Sequence, residues 1–201
     1  MTENIRVTLD MTGILQGVGF RPTLSRLVST AGLTGWTRNQ SGCVRLVLAG
    51  PMQRVDDFIE NLPENLPEQA SLETLRIVAR EPLPDDFTGE AFLILDSQSA
   101  DKIRISIPAD LAICHECARE VFDKDSRFYR YPFTTCTHCG PRYTVVEKMP
   151  YDRERTSLKS FPLCPRCTAE YKDSFNRRFH AESVACPDCG PALGFHAAGS
   201  A

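Results

Sequence analysis

The first hundred residues carry hydrophobic patterns of two different periods. Apolar and polar side chains alternate over residues 5–12, which is typical of a strand with one buried face. Pro22 can occupy the first turn of a helix, and apolar residues follow it at helical spacing up to Ala31, before Gly32. These patterns predict a strand, a loop and a helix, in that order.

A hairpin and a second helix are predicted next. Residues 33–39 and 43–49 have strand-like patterns and are joined by the turn-forming residues 39–42. Apolar residues from Val55 to Leu62 then recur at helical spacing and stop before Pro63. The pattern therefore continues as strand, strand and helix.

Two further strands complete the first predicted domain, at residues 72–79 and 92–95. The order β-α-β-β-α-β with one added strand predicts an α+β domain of ferredoxin-like fold over residues 1–97. In this fold, two helices cover one face of an antiparallel sheet.

The placement of cysteines predicts a different kind of region in the second half. The spacing C-x2-C-x18-C-x2-C occurs twice at an offset of 50 residues, and nine of the 28 positions from 114 to 141 are identical at that offset. We interpret this as an internal duplication. It predicts a tandem finger region at 111–192 with repeats at 114–139 and 164–189, a linker at 98–110 and a tail at 193–201.

The paired cysteines have the spacing of structural zinc sites. Two residues between cysteines let both thiolates reach one ion, and Zn²⁺ accepts four thiolates in a closed tetrahedron. A unit of roughly 28 residues cannot bury enough apolar surface to fold alone, so the metal would supply the difference. We therefore expect two structural Zn²⁺ ions, with the ligands Cys114, Cys117, Cys136, Cys139, Cys164, Cys167, Cys186 and Cys189.

Alternatives remain open for these residues. The cysteine pairs can combine within each repeat or across repeats, and the duplication favours pairing within each repeat. A disulfide framework or free thiols are the alternative to metal, and a reducing cytoplasm disfavours disulfides. His115, His138 and His180 are adjacent candidates for ligands, but eight cysteines already fill two sites, so we interpret them as surface or neighbouring groups. Cys43 is interpreted as a small buried apolar residue, with a reactive thiol as the alternative.

Aromatic residues lie between the cysteine pairs of both repeats. We expect them to form a small core beside each ion, because so short a unit has few other apolar side chains. They are Phe122, Phe128, Tyr129, Tyr131 and Phe133 in the first repeat and Tyr171, Phe175 and Phe179 in the second.

Charge differs between the two halves of the chain. Residues 1–100 hold 8 basic and 13 acidic side chains, and residues 101–201 hold 15 and 13. The halves therefore carry about −5 and +2, and the net charge of −3 argues against a general nucleic-acid binder. No stretch approaches the roughly 18 apolar residues of a spanning helix, and no signal peptide is recognisable. We therefore expect a cytoplasmic protein without a membrane partner.

A glycine-containing loop joins the first predicted strand to the first helix. Gly17 and Gly19 allow the backbone to curl, so that successive N–H groups can face a phosphate at the positive end of the helix. Arg21 adds a planar charged group that can bind two phosphate oxygens. On pattern alone, an ordinary tight turn is the more common explanation of this loop, and Asn39 alone is typical of a hairpin turn.

Two segments resemble the acylphosphatase family over residues 5–97: Gln16-Gly17-Val18-Gly19-Phe20-Arg21 and Gly35-Trp36-Thr37-Arg38-Asn39. The resemblance implies that the loop binds the substrate phosphate through the backbone amides and side chains of Gln16, Gly17, Val18, Gly19, Phe20 and Arg21. It implies catalytic roles for Arg21, which holds the phosphate, and for Asn39, which orients the attacking water. Ile14 departs from the family pattern, because many members have a basic residue there.

Further motifs in the second half resemble the HypF family of hydrogenase maturation carbamoyltransferases. They are Arg130-Tyr131-Pro132-Phe133, Cys136-Thr137-His138-Cys139-Gly140-Pro141-Arg142, Met149-Pro150-Tyr151-Asp152-Arg153 and Arg177-Arg178-Phe179-His180-Ala181. The resemblance implies an N-terminal fragment of a longer protein that hydrolyses carbamoyl phosphate to carbamate and phosphate. Later domains, absent from this chain, would use ATP to adenylate the carbamoyl group and pass it to HypE.

An enzyme of the acylphosphatase type is therefore the leading hypothesis, with the finger region as a rigid connector between catalytic parts. The alternative is a non-catalytic module in which the fingers bind protein or nucleic acid. Its candidate contacts are Arg127, Arg130, Arg142, Arg177 and Arg178.

Overall fold

The first domain contains the strands and helices that the hydrophobic pattern predicts. The structure, a computed structural model, describes residues 3–40, 42–84, 86–98 and 109–195. The strands are β1 (Asn4–Ile14), β2 (Thr34–Gln40), β3 (Cys43–Pro51), β4 (Ser71–Leu83) and β5 (Leu93–Ile94), and the helices are α1 (Phe20–Thr30) and α2 (Met52–Asn61). A 3₁₀ turn at Leu62–Asn65 follows α2 and contains the predicted terminator, Pro63.

The five strands form one sheet in the order β4-β1-β3-β2-β5. β1 is antiparallel to both of its neighbours, β3 and β4, and β2 is antiparallel to β3. This is the ferredoxin-like arrangement, so the predicted fold is confirmed. β5 departs from the expected antiparallel sheet because it pairs in parallel with Trp36 and Thr37 of β2. A strand of two residues has no periodicity from which its direction could be predicted.

One apolar core lies between the sheet and both helices. Strand pairing places Leu9 opposite Leu46, so alternate residues of β1 and β3 share one face of the sheet. Leu24 of α1 and Val55 of α2 are fully buried against that face. Burial of a side chain of this size stabilises the fold by about 1.5–3 kcal/mol. The core therefore fixes the position of α1 and of the loop that precedes it.

The finger region repeats one local structure twice. Helices α3 (His115–Phe122) and α4 (Pro165–Lys172) each begin directly after the first cysteine of a repeat. Arg130 and His180, which are 50 residues apart, both have positive φ angles, 57° and 51°. Their N–H groups donate to carbonyls of the preceding helix at 2.8 and 3.0 Å. The duplication of sequence is therefore also a duplication of backbone conformation.

The predicted linker at 98–110 lies mainly outside the described residues, and so does most of the predicted tail at 193–201. Gln98 is the last described residue of the first domain, and its N–H donates to the carbonyl oxygen of Asn39 at 2.9 Å. Within the described ranges, no helix has the length and apolar character needed to cross a membrane.

Candidate active site and metal clusters

The eight cysteines of the finger region meet in two clusters, one in each repeat. In each cluster the four Sγ atoms lie within 4.8 Å of one another. The Sγ–Sγ distance is 3.7 Å between Cys114 and Cys136 and 3.6 Å between Cys186 and Cys189. Four sulfurs placed about 2.3 Å from a central ion in a tetrahedron are about 3.8 Å apart. Both clusters are therefore suited to zinc, and they form within repeats, as the duplication predicts.

An arginine from each repeat contacts the cysteine cluster of the other. Arg127 donates to Cys167 Sγ at 3.5 Å and to Glu170 at 2.6 Å. Arg177 donates to Cys117 Sγ at 3.0 Å and to the equivalent glutamate of the first repeat. Both arginines, both sulfurs and both glutamates are related by the offset of 50 residues. The contacts are therefore reciprocal, and each guanidinium compensates part of the negative charge of four thiolates.

The aromatic residues do not form a separate core beside each ion. Phe128 and Tyr131 of the first repeat are buried against cysteines of the second repeat. Phe122 and Phe175 are 81% and 95% exposed, so the prediction that they are core residues is wrong. The two repeats pack on each other, so Phe128 and Tyr131 lie against the cysteines of the other repeat and not against those of their own.

Most of the arginines that could contact nucleic acid are engaged inside the protein. Arg142 and Arg178 are buried, and Arg178 forms an ion pair with Glu120. Arg127 and Arg177 bind the cysteine clusters. Of the five candidates only Arg130 is exposed, and its guanidinium lies over the ring of Tyr129. This arrangement does not favour a basic surface for nucleic acid.

The predicted phosphate loop lies between β1 and α1. Gly17 and Gly19 have φ angles of 69° and 74°, which glycine adopts without strain. No side chain among the described residues caps the N-terminus of α1. The side chains of Val18 and Phe20 are buried in the core, so these two residues offer only their backbone to a ligand. The uncapped helix end is suited to an anion.

The finger region packs directly on this loop. Arg142 Nε donates to the carbonyl oxygen of Gly17 at 2.6 Å, and the N–H of Tyr151 donates to Oε1 of Gln16 at 3.1 Å. A Cβ added at Gly19 would lie 3.3 Å from the Cβ of Thr137. The loop is therefore enclosed by residues of both regions.

Arg21 faces two carboxylates of the finger region. Its Nη2 lies 3.3 Å from Asp152 Oδ1 and 3.4 Å from Glu182 Oε1. Glu182 is buried, and its Oε2 accepts hydrogen bonds from the Tyr171 hydroxyl at 2.9 Å and from the N–H of Arg153 at 3.1 Å. Burial raises the pKa of Glu182, while the charge of Arg21 and these hydrogen bonds act to lower it.

His180 also lies beside Arg21. Burial, together with the positive charge of Arg21, lowers the pKa of His180 to about 4, so its ring is neutral at pH 7. The interpretation as a group on the surface or near the zinc ligands is wrong for His180 as to the surface, because this residue is half-buried, and Cys136 lines the same small cavity. His115 is exposed, and the backbone N–H of His138 donates to Cys136 Sγ at 3.3 Å, so these two histidines fit that interpretation.

Two cavities meet at Arg21. One has a volume of about 30 Å³ on the side of the phosphate loop, and the other has a volume of about 480 Å³. Arg21, His180 and Glu182 line both. The smaller volume holds roughly one or two water molecules, whereas the larger one is in the range of small-molecule sites. Arg21 is therefore accessible from the larger cavity, which Asp152 and Glu182 also line.

Asn39 lies near the end of β2 with an exposed fraction of 1%. Neither atom of its side-chain amide has a hydrogen-bond partner among the described residues. Its backbone is bonded to Gln98, and the adjacent Ser97 hydroxyl donates to Asp152 Oδ1 at 2.9 Å, the same oxygen that faces Arg21. A buried amide without partners costs about 1–3 kcal/mol. Asn39 is not among the residues that line the two cavities at Arg21.

Sequence reasoning missed the side of the cavity that the finger region provides. Asp152 and Glu182 lie 131 and 161 residues from Arg21 along the chain. Asp152 belongs to a motif that carries the family resemblance, but no periodicity places that motif beside the loop. Asp152 and Glu182 lie outside the helices and strands, and such segments have no periodicity, so a single sequence gives no signal that either carboxylate faces Arg21.

Comparisons with known proteins match the two regions separately. The acylphosphatase family matches residues 7–92, and the HypF finger family matches residues 113–146 and 163–195. An acylphosphatase from Caldivirga maquilingensis is 36% identical over 91 residues, which are 44% of this chain and 94% of that protein. A carbamoyltransferase HypF from Rhodobacter capsulatus is 37% identical over 194 residues, which are 96% of this chain and 25% of that protein.

A solved structure matches both regions together. It is described as full-length HypF in the phosphate- and nucleotide-bound form, with a TM-score of 0.86, 35% identity, and coverage of 100% of this chain and 26% of that chain. The chain thus spans about a quarter of the length of the carbamoyltransferases that it matches. It belongs to the acylphosphatase family through its first domain, which is followed by paired HypF fingers in the combination that the HypF carbamoyltransferases also have.

Proposed function

We propose that this chain hydrolyses carbamoyl phosphate to carbamate and inorganic phosphate. The observation that carries the proposal is the buried side chain of Asn39, whose two polar atoms lack partners in the domain that also holds Arg21 and the phosphate loop. The acylphosphatase relatives support an acyl phosphate as the substrate class, and the carbamoyltransferase relatives support the carbamoyl group. The structure with a TM-score of 0.86 is described as phosphate-bound, which supports a phosphate site.

In this mechanism the substrate phosphate lies against the loop. Arg21 and the backbone N–H groups at the start of α1 neutralise the phosphoryl oxygens, and the Asn39 amide holds a water molecule in line with the leaving group. The water oxygen bonds to phosphorus, the bond from phosphorus to the acyl oxygen breaks, and carbamate leaves with that electron pair. Both water protons end on the phosphate product. Positioning and electrostatic stabilisation account for the catalysis.

We propose one structural Zn²⁺ in each four-cysteine cluster. The sulfur spacing of 3.6–3.8 Å suits a tetrahedral ion, and four thiolates leave no open coordination position. The ions would therefore hold the fingers in place and take no part in hydrolysis. A cytoplasmic location fits this proposal, because a reducing compartment keeps the eight thiols available for metal.

The later steps belong to a longer protein. We propose that domains beyond this chain use ATP to adenylate the carbamoyl group and transfer it to HypE. The resemblance to carbamoyltransferases that are about four times longer supports this assignment.

The test is release of phosphate from carbamoyl phosphate by the zinc-loaded chain. Arg21→Ala and Asn39→Ala should each reduce kcat by about 10²–10³, as the loss of one preorganised donor does in other enzymes. Arg54→Ala, at an exposed position of α2, is the matched control and should keep the parental rate. Acetyl phosphate as a second substrate measures the preference for the acyl group. Equal rates for the parent and Arg21→Ala would refute the proposal.

A further inference from the structure

The two finger repeats have the same residues at the positions that form the cysteine clusters. They have different residues at the positions that face the phosphate loop or Arg21. The cysteines and the residues of the reciprocal contacts are identical in both repeats. In contrast, Arg142 corresponds to Ala192, and Glu182 corresponds to Pro132, at the same offset of 50. Both clusters form with the same sulfur spacing despite these differences. Neither Arg142 nor Glu182 is therefore needed to build a finger as such.

Arg142 is 2% exposed, and its guanidinium bonds, within the described part of the chain, only to backbone carbonyls. Nε donates to Gly17 at 2.6 Å, Nη2 to Thr137 at 2.8 Å, and the remaining donors reach Cys136 and Cys139. No carboxylate of the described residues forms an ion pair with this guanidinium. Burial without an ion-pair partner is costly for a cation, so the backbone carbonyls are the groups that compensate this guanidinium.

The bond to Gly17 also fixes the direction of a donor in the loop. The carbonyl and the N–H of a trans peptide point in opposite directions. When Arg142 holds the carbonyl oxygen of Gly17, the N–H of Val18 is therefore directed away from Arg142. The arginine thus sets the orientation of a peptide group within the segment that the family resemblance assigns to phosphate.

Glu182 is held in a single orientation. One oxygen, Oε2, accepts from the Tyr171 hydroxyl and from the N–H of Arg153, which leaves Oε1 facing Arg21. The guanidinium of Arg153 also donates to the backbone carbonyls of Glu182 and Val184 at 2.8 and 2.7 Å. The residue that corresponds to Tyr171 in the first repeat is a valine, which has no hydroxyl. The first repeat therefore lacks both the carboxylate of Glu182 and the hydroxyl group that holds it in the second repeat.

We propose that the finger region supplies two positioning residues to the acyl-phosphate site of the first domain: Arg142 fixes the phosphate loop through the Gly17 carbonyl, and Glu182 orients Arg21. This inference rests on the proposed function, because it concerns the same site. The active site is then composite, and the acylphosphatase domain is incomplete without the fingers that cover it.

Substitution of the two residues should change KM in opposite directions. The loop binds phosphate in the ground state and in the transition state alike, so Arg142→Gln should raise KM about tenfold or more with a smaller change in kcat. Glu182 competes with the substrate for Arg21, and it also holds the Arg21 side chain in place. Glu182→Gln should therefore lower KM and reduce kcat about tenfold. A purely structural role would not move KM in opposite directions.

The experiment uses the zinc-loaded chain and carbamoyl phosphate. Arg166→Gln and Asp125→Asn, at exposed positions of the finger region, are controls for the loss of one charge and should behave like the parent. Arg142→Lys keeps the charge but not the planar set of donors, so it should not restore KM. Tyr171→Phe should change kcat and KM in the same directions as Glu182→Gln, by smaller factors. The dissociation constant of inorganic phosphate, measured by calorimetry, should rise with KM in Arg142→Gln.

The outcomes separate this inference from the proposed function. If the parent is active, Arg21→Ala is inactive, and both Arg142→Gln and Glu182→Gln keep parental kcat and KM, the composite site is overturned while the proposed function stands. If the parent releases no phosphate, the proposed function fails. The inference is then judged on inorganic phosphate: weaker binding by Arg142→Gln supports it, and equal or absent binding overturns it. Loss of zinc from both Arg142 variants also overturns it, because the arginine then serves its own finger.

Discussion

The two regions of this protein are held together by different kinds of buried group. Fifteen buried residues of the first domain form one core, and all of them are apolar. Among the described residues of the finger region, the buried set consists of thiols, a few aromatic and aliphatic side chains and eight polar or charged side chains, whereas the described part of the first domain buries four polar or charged side chains. Arg142 and Glu182 are among these polar side chains, and both contact the first domain.

This difference shows where the stability of each region resides. The first domain is stabilised by its own hydrophobic burial, which requires no ligand. The finger region buries charges and thiols, which is costly unless a metal or a hydrogen-bonding partner compensates them. The two regions should therefore respond differently to metal, to truncation of apolar side chains and to pH.

Removal of metal should give the largest effect. Zinc binding contributes about 10–16 kcal/mol in finger peptides, so a strong chelator should unfold the finger region. The first domain should stay folded. Trp36 is the only tryptophan of the chain and lies in β2, so its fluorescence reports on the first domain alone. We expect far-UV circular dichroism to lose the signal of α3 and α4 while Trp36 emission stays constant. Simultaneous loss of both signals would contradict the comparison.

Truncation of a side chain in the apolar core should destabilise the first domain and leave the zinc sites of the finger region unchanged. Leu46 is fully buried at the centre of the sheet, and Leu46→Ala should reduce the free energy of unfolding by about 2–5 kcal/mol. Ile77 is 47% exposed, and Ile77→Ala is the control with an expected loss below about 1 kcal/mol. Urea unfolding followed by Trp36 fluorescence measures both values. Zinc content should stay at the parental level, and a Leu46→Ala chain that lost zinc first would argue against separate stabilities.

The reciprocal arginines should couple each repeat to the metal of the other. Arg127→Gln removes hydrogen bonds to Cys167 and Glu170, which are worth about 1.5–3 kcal/mol for charged partners. It should therefore weaken the second zinc site about tenfold or more and leave the site of its own repeat less affected. Arg177→Gln should do the reverse.

Competition with a chromophoric chelator measures this coupling, because it resolves two affinities for each variant. Arg119→Gln is the matched control, since this arginine lies on α3 and, among the residues that the structure describes, forms an ion pair only with exposed Glu116. An equal loss of zinc affinity at both sites in either variant would show that the arginines stabilise the finger region as a whole.

The smallest effect concerns pH. The pKa of His180 is lowered to about 4 in the folded protein, against about 6.5 when unfolded. The unfolded chain therefore binds the proton first, so this histidine stabilises the fold above pH 6.5 and loses that contribution as pH falls toward 4. Between pH 7 and pH 5 the loss is about 2 kcal/mol. His180→Gln should flatten the pH dependence of the unfolding free energy by this amount. An unchanged slope would show that His180 ionises normally in the folded state.

Much of the fold was predictable because the sequence patterns there are long and regular. The sequence of β1 alternates over residues 5–12, and α2 has an apolar face, so their existence and order follow from periodicity. The spacing of the eight cysteines is equally specific, and it predicted both clusters. β5 has two residues, and its parallel pairing with β2 depends on where the preceding chain returns to the sheet.

The candidate site was predictable only on one side. The phosphate loop and Arg21 form a local segment, and local segments can be recognised in a sequence. Asp152 and Glu182 reach Arg21 from irregular parts of the finger region. Phe122 and Phe175 illustrate the same limit, because aromatic character favoured burial, whereas the packing of one repeat on the other leaves both rings exposed.

The reciprocal arginine contacts have the form of an isologous interface, in which one surface is complementary to a copy of itself. Each repeat carries both halves, an arginine and the thiolate and glutamate that accept it. Two separate copies of one repeat would pair in this way only at sufficient concentration. Joining them in one chain makes the pairing intramolecular, so that it no longer depends on how much protein is present. The tandem arrangement thus gives the fingers the geometry of a homodimer with the concentration independence of a monomer.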